Sequence, residues 1–318
     1  MDVSVMLITL AGGLGLFLYG MSVMSDAIEK VAGAKLRSIL EFFTKNKFMG
    51  MIVGVIFTGI VQSSSACTVM VVSFVNSGLM NLYQAAGVIF GANIGTTVTS
   101  QLVSFNLSEY APIFLLLGVL AILFGGKNQK VAKVGEIIVG FGILFMGLSN
   151  MSSAMSNMKD MPQVIDLLGS LKSPLLAILV GTVLTAIIQS SSVTVSIVLL
   201  MANQGLLDIH ICLFIILGCN IGSCGSALIA SLAGKKDAKR AAMIHLLFNI
   251  IGSIIIYIIL QFAMEPVVNM IQSISADNGR FVANAHTLIK VFQVIVLLPF
   301  SSFIVKLACL IIPKKKKK

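Results

Sequence analysis

Four hydrogen-bonding side chains in a row, Gln62-Ser63-Ser64-Ser65, interrupt an apolar stretch, and the same four, Gln189-Ser190-Ser191-Ser192, recur 127 residues later. Left unsatisfied in hydrocarbon, each such group costs several kcal/mol. A tetrad carried twice therefore implies a use. Serine hydroxyls at a helix start, beside unpaired backbone N–H groups and the positive end of the helix dipole, suit an oxyanion such as phosphate or sulfate. Gln, Ser, Thr and Asn oxygens, with carbonyls of unwound backbone, suit Na⁺. Each tetrad is followed by a Gly-x-Asn-Ile-Gly break, Gly91-Ala92-Asn93-Ile94-Gly95-Thr96-Thr97 and Gly218-Cys219-Asn220-Ile221-Gly222-Ser223. The candidate anion ligands are Gln62, Ser63, Ser64, Ser65, Gln189, Ser190, Ser191 and Ser192. The candidate cation ligands are Gln62, Asn93, Thr96, Thr97, Gln189, Asn220 and Ser223. The bland alternative, polar residues that glue helices together, fits a lone Ser or Thr. Two matched tetrads with matched breaks favour a site.

The elements that hold these residues are membrane helices. Of 318 residues, 57% are hydrophobic and 11% charged, and the mean hydropathy is +1.02, whereas soluble chains carry about 25% charged residues. This implies an all-α polytopic membrane protein. The arms beside each tetrad are about 10–13 residues, roughly 15–20 Å of helix, enough to reach mid-membrane but not to cross it. Residues 49–77 and 174–203 are therefore expected to be re-entrant helical hairpins. Spans are expected at 4–24, 112–125, 135–156, 241–262 and 283–312, with broken spans at 83–104 and 210–233. Residues 26–48, amphipathic and basic, are expected to lie in the interface. The N-terminus reads as a first span and not as a signal peptide.

The halves align without a gap at the 127-residue offset, and 16 of the 47 positions from 54 to 100 are identical to their partners. Most matches are Gly, Gln, Ser, Asn and Thr, which chance similarity of apolar stretches does not produce. The chain divides into a first repeat (1–125), a second (126–262) and a C-terminal span with a basic tail (263–318). With re-entrant hairpins each repeat has three crossings, an odd number, so the repeats have inverted topology. Segments 26–48, 126–134, 234–240 and the tail then share one side with 17 of the 22 Lys and Arg, including Lys45, Lys127 and Lys314–Lys318. Lys159, Lys172 and Arg280 face the other. Positive-inside bias makes the C-terminus cytoplasmic, and the net charge of +10 is that signature and not a nucleic-acid footprint. The pentalysine could also meet anionic membrane lipid.

No Asp or Glu lies deep in a span, no Walker sequence or His-Glu-x-x-His helix occurs, and nothing like Gly-x-Ser-x-Gly surrounds a tetrad. The chain reads as a non-enzyme without an organic cofactor. Its five cysteines lie in apolar segments without disulfide or zinc spacing and read as small core residues. Lys290, the deepest formal charge, is expected to snorkel to the outer interface. His245 is expected to hydrogen-bond at a helix end. In the second break, Cys224 and Gly225 replace Thr97 and Val98, which argues against two equivalent cation sites. Small-residue stripes could serve a homo-oligomer interface.

The chain resembles the type II sodium–phosphate cotransporter family, including its bacterial members, over residues 5–312. The paired tetrads and breaks carry the resemblance, as does His245-Leu246-Leu247-Phe248-Asn249. A second copy of that motif begins at His286-Thr287-Leu288 but continues Ile289-Lys290 where Phe-Asn is expected. The resemblance implies tetrads that line a phosphate site, neighbouring polar residues that bind Na⁺, and Na⁺-coupled phosphate transport by alternating access in a bacterial inner membrane. Many bacterial relatives of the family continue into a soluble PhoU-type domain, and this chain is expected to be a member without one. The alternative is a passive anion channel or uncoupled anion carrier on the same duplicated fold.

Overall fold

A computed structural model describes residues 3–44, 46–125, 128–159, 161–171 and 173–313. Lys45, Lys127, Lys172 and the pentalysine lie outside the described residues. Among the described residues there are fifteen α-helices and no strand. In order they are α1 (Val3–Phe43), α2 (Lys47–Val61), α3 (Ser64–Ser77), α4 (Leu82–Gly95), α5 (Thr97–Ser104), α6 (Ala111–Phe124), α7 (Gln129–Met158), α8 (Pro162–Gly169), α9 (Pro174–Ile188), α10 (Ser191–Asn203), α11 (Ile209–Gly222), α12 (Gly225–Ser231), α13 (Lys236–Gln272), α14 (Asn278–Leu297) and α15 (Ser301–Ile311).

Among the described residues, six helical stretches are long and apolar enough to cross a membrane: Val3–Glu41, Leu107–Phe124, Gln129–Met158, Ile209–Ser231, Lys236–Gln272 and Asn278–Leu297. Residues 83–104, expected as a broken span, are not among them, because the second piece of that helix, Thr-Val-Thr-Ser-Gln, is polar, whereas Ile209–Ser231, divided in the same way, stays apolar throughout. The four arms around the tetrads are 13 to 15 residues long. At 1.5 Å per residue that is roughly 20 Å each, short of ~30 Å of hydrocarbon.

Three boundaries differ from expectation. The first span and the basic segment after it form one helix of 41 residues, because nothing between Met24 and Phe43 except Gly33 interrupts helix formation. The C-terminal span is divided: α14 ends before Pro299, which cannot donate to the helix ladder, and α15 is separate. Both ends of α15 are tied to basic residues, Pro299 O to Lys47 Nζ at 3.2 Å and Ile312 O to Arg240 Nε at 2.8 Å. Helix α13 runs past residue 262 across a kink at Ala263, three residues before Pro266.

The 127-residue offset recurs in the packing of α1 against α7. Helices α1 and α7 run antiparallel, and their contacts exchange across the offset. A Cβ on Gly20 would collide with the backbone nitrogen of Leu144, and one on Gly147 with that of Phe17, its counterpart. Only glycine lets the two backbones come this close. The same holds within each half, where Gly54 of α2 meets the Val88 carbonyl of α4 and Gly181 of α9 meets the Ile215 carbonyl of α11. Polar contacts sort the loops into two ends. At one, Asn76 Oδ1 accepts from the Lys235 N–H and Lys236 Nζ reaches Pro313 O, both at 2.7 Å. At the other, Asn278 Nδ2 reaches Ala202 O at 3.4 Å and Arg280 stacks on Phe105.

Candidate functional site

The two tetrads fold alike. Gln62 and Gln189 are the C-caps of α2 and α9, held in the left-handed region at φ 60° and 58°, where a non-glycine residue is strained. Ser63 and Ser190 are extended, at φ −140° and −144°, and cap the next helix by accepting from Ala66 N and Val193 N. Ser64 and Ser65, and Ser191 and Ser192, are then the first two residues of α3 and α10. Their N–H groups have no acceptor a turn earlier and carry the positive end of the helix dipole. Among the described residues, the Ser64 and Ser191 hydroxyls make no hydrogen bond to protein.

All eight tetrad residues line one cavity of about 280 Å³, with Ser223 and, from α1, Ser22, Ser25 and Asp26. At roughly 30 Å³ per water it has room for a small tetrahedral ion together with counter-ions or waters. The lining is chemically one-sided. Its only charged member is the carboxylate of Asp26, and every other polar group is neutral. Sequence reasoning missed the α1 contribution. Its signal is the spacing of Ser22, Ser25 and Asp26 at i, i+3 and i+4, which puts three polar groups on one helical face.

Each half's tetrad is gripped by the other half's broken helix. Thr96 Oγ1 lies 3.0 Å from Ser192 Oγ, and Ser226 Oγ donates to Ser65 Oγ at 3.1 Å. Within the first half, Gln62 donates to the Gly59 carbonyl and accepts from Thr99 Oγ1 at 2.9 Å. Gln62 is buried, whereas Gln189 is exposed.

The breaks are tighter than expected. Thr96 (φ −63°, ψ −22°) and Ser223 (φ −61°, ψ −18°) keep helical backbone, so no stretch of unwound carbonyls is present there. Nearby hydroxyls take the carbonyls instead: Thr97 Oγ1 donates to Ile94 O and Ser223 Oγ to Asn220 O. A cation at the breaks would therefore meet side-chain oxygens and not unwound carbonyls. Asn93 and Asn220 are both buried, but each amide atom of Asn93 has a partner, Nδ2 on Ile89 O and Oδ1 on Lys290. Neither amide atom of Asn220 has a partner among the described residues.

Two expectations for titratable residues fail. Lys290 does not snorkel. It is 1% exposed, and its ammonium is held by Asn93 Oδ1 at 2.5 Å and Asn249 Oδ1 at 2.8 Å. These amide oxygens offer a buried ammonium partners that the apolar flank of α14 does not. His245 does not sit at a helix end, because α13 begins nine residues earlier, and the ring is buried with Nδ1 unpartnered. His286 is buried on α14, where Nδ1 lies 3.1 Å from Ser100 Oγ. Four of the five cysteines are buried and the fifth half-buried, as core residues would be.

A model of the Na⁺/Pi-cotransporter family matches residues 16–153 and 156–276, across both tetrads and both breaks. The chain belongs to this family. Among its relatives, YqeW of Bacillus subtilis, which carries no assigned function, is 30% identical over 300 residues, 94% of this chain and 96% of that protein. YjbB of Salmonella typhimurium, named for inorganic phosphate export, is 27% identical over 301 residues, 94% of this chain and 54% of that protein. Human sodium-dependent phosphate transport protein 2B is 38% identical over 103 residues, 31% of this chain and 14% of that protein. The chain thus spans nearly all of YqeW but about half the length of YjbB. No solved structure matches it.

Proposed function

We propose that this chain is a secondary transporter of inorganic phosphate coupled to Na⁺ and working by alternating access. The observation that carries the reading is the cavity itself. Two helix N-termini, each beginning Ser-Ser, face a common space with Ser and Gln donors around it, an arrangement suited to an oxyanion. The lining holds no Lys or Arg, and its one charge is negative. A phosphate anion bound there meets no compensating positive charge from the lining, so co-bound cations are the electrostatic complement the site lacks. The Gln62, Thr96, Thr97, Gln189, Asn220 and Ser223 oxygens are the proposed Na⁺ ligands, with Asp26 a further acceptor from α1. Phosphate is assigned to the Gln62–Ser65 and Gln189–Ser192 tetrads.

Transport by alternating access rests on the duplication. Antiparallel α1 and α7, with contacts that exchange at the 127-residue offset, support inverted repeats at 1–125 and 126–262. Arms too short to cross support re-entrant hairpins. The names of two sets of relatives, one for phosphate export and one for sodium-dependent phosphate transport, support the substrate. The distribution of Lys and Arg along the sequence, 17 of 22 in segments 26–48, 126–134, 234–240 and the tail, supports an inner-membrane location with a cytoplasmic C-terminus. Equilibrium binding of radiolabelled phosphate to purified protein, in Na⁺ and in an equal concentration of K⁺, tests the site. Saturable binding that requires Na⁺ and is lost in Ser191→Ala is the expected result, and equal binding in K⁺ would overturn the coupled reading in favour of an uncoupled carrier or channel.

A further inference from the structure

We propose that Lys290 is a resident cation. Its ammonium holds, in the first repeat, the place that a transported Na⁺ takes in the second, so the chain carries one Na⁺ fewer than two equivalent sites would. The proposal rests on the Na⁺-coupled reading above and concerns how many ions it moves.

The starting point is an asymmetry between matched residues. Asn93 and Asn220 hold the same place in the two Gly-x-Asn-Ile-Gly breaks, and both are buried. Asn93 Oδ1 accepts from Lys290 Nζ at 2.5 Å, while both amide atoms of Asn220 are buried without a partner among the described residues. A buried, unpaired amide is costly, and an amide oxygen facing no donor is suited to a cation. One of two sister oxygens is thus already on a positive charge and the other is not.

The charge itself is costly too. An ammonium at 1% exposure is expensive to bury unless paired, and no carboxylate pairs with Lys290 among the described residues. Its partners are two neutral amide oxygens, the ligand type that suits Na⁺. Ammonium and Na⁺ carry the same charge, so a cage built for one accepts the other's electrostatics. The sequence carries the same substitution. His245 and Asn249 are four residues apart on α13, as His286 and Lys290 are on α14, and lysine stands where the parallel motif has asparagine. The two positions meet in space, Lys290 Nζ to Asn249 Oδ1 at 2.8 Å. An acceptor has been exchanged for a fixed positive donor aimed at the first-repeat asparagine. A lysine that merely tied three helices together would give the same hydrogen bonds, but it would not change the number of ions bound.

The test is a count of ²²Na⁺ bound at equilibrium by purified protein in detergent, with saturating phosphate, for the natural chain and Lys290→Ala. Alanine removes the charge and leaves space between Asn93 and Asn249. One additional Na⁺ per chain in Lys290→Ala is the expected result, and an unchanged count would overturn the proposal. If Lys290→Ala does not yield a folded, monodisperse protein, Asn93→Ala and Asn220→Ala decide on the natural lysine background. Asn220→Ala should lose one bound Na⁺ and Asn93→Ala none, while equal losses would overturn it. The count needs no flux. A chain that binds Na⁺ in this pattern but moves no phosphate refutes the carrier alone, and a Na⁺-driven carrier with equal counts refutes the resident cation alone.

Discussion

Thr96 Oγ1 and Ser192 Oγ lie 3.0 Å apart although 96 residues separate them in the chain. The contact joins the broken helix of one half to the tetrad of the other, and Ser226 with Ser65 completes the reverse pairing at 3.1 Å. Neither tetrad is therefore positioned by its own half alone. A rearrangement of the halves, as the proposed alternating access requires, would break or re-form these hydroxyl pairs.

Thr96→Val and Ser192→Ala should each weaken phosphate binding, and their effects should not add. The expected coupling between them is about 0.5–1.5 kcal/mol, the net worth of a hydrogen bond, in a double-mutant cycle on the phosphate Kd. Additive effects would mean that the 3.0 Å contact contributes nothing.

Much of this was legible in the chain. The tetrads stand out because polar runs in apolar helices are costly, and a constant 127-residue offset pairs them and the breaks that follow. The break at Thr96 was legible in position but not in geometry, since Asn-Ile-Gly signals a breaker while neighbouring hydroxyls let the backbone stay helical. Asp26 falls in the segment 26–48 expected at the interface, because the basic residues from Lys30 onward suggest a change of environment although no breaker ends the helix. The burial of Lys290 is not legible locally because its partner Asn93 is 197 residues away. Periodicity reports which face a residue lies on, not what waits across the interface.

Gln62→Gly and Gln189→Gly separate backbone from side chain. Glycine relieves the left-handed strain, worth roughly 1 kcal/mol, and removes the amide. Both variants should melt no lower than the natural chain at these turns, apart from the lost Thr99 contact at Gln62, yet bind phosphate at least tenfold more weakly. Unchanged Kd values would exclude these amides from the site.

Gly20→Ala and Gly147→Ala should destabilise the fold similarly, by about 1–3 kcal/mol, because each Cβ meets backbone of the partner helix and not a movable side chain. Thermal unfolding in detergent checks this. A large drop for one and none for the other would argue against the exchanged packing of α1 and α7.

Asp26→Asn keeps the shape of the cavity while removing its one charge. If the carboxylate helps to hold co-transported Na⁺, the Na⁺ concentration for half-maximal phosphate binding should rise severalfold while binding at saturating Na⁺ survives. A lower Na⁺ requirement would mean that Asp26 acts mainly by repelling phosphate.

The most direct measurement is uptake of radiolabelled phosphate by purified protein in liposomes, under an inward Na⁺ gradient and under an equal K⁺ gradient. Accumulation driven by Na⁺, absent with K⁺ and abolished in Ser64→Ala and Ser191→Ala, is the result expected of a coupled carrier built on the paired tetrads. Equal flux under both gradients would contradict the coupling, and Na⁺-driven flux that survives both substitutions would contradict the site.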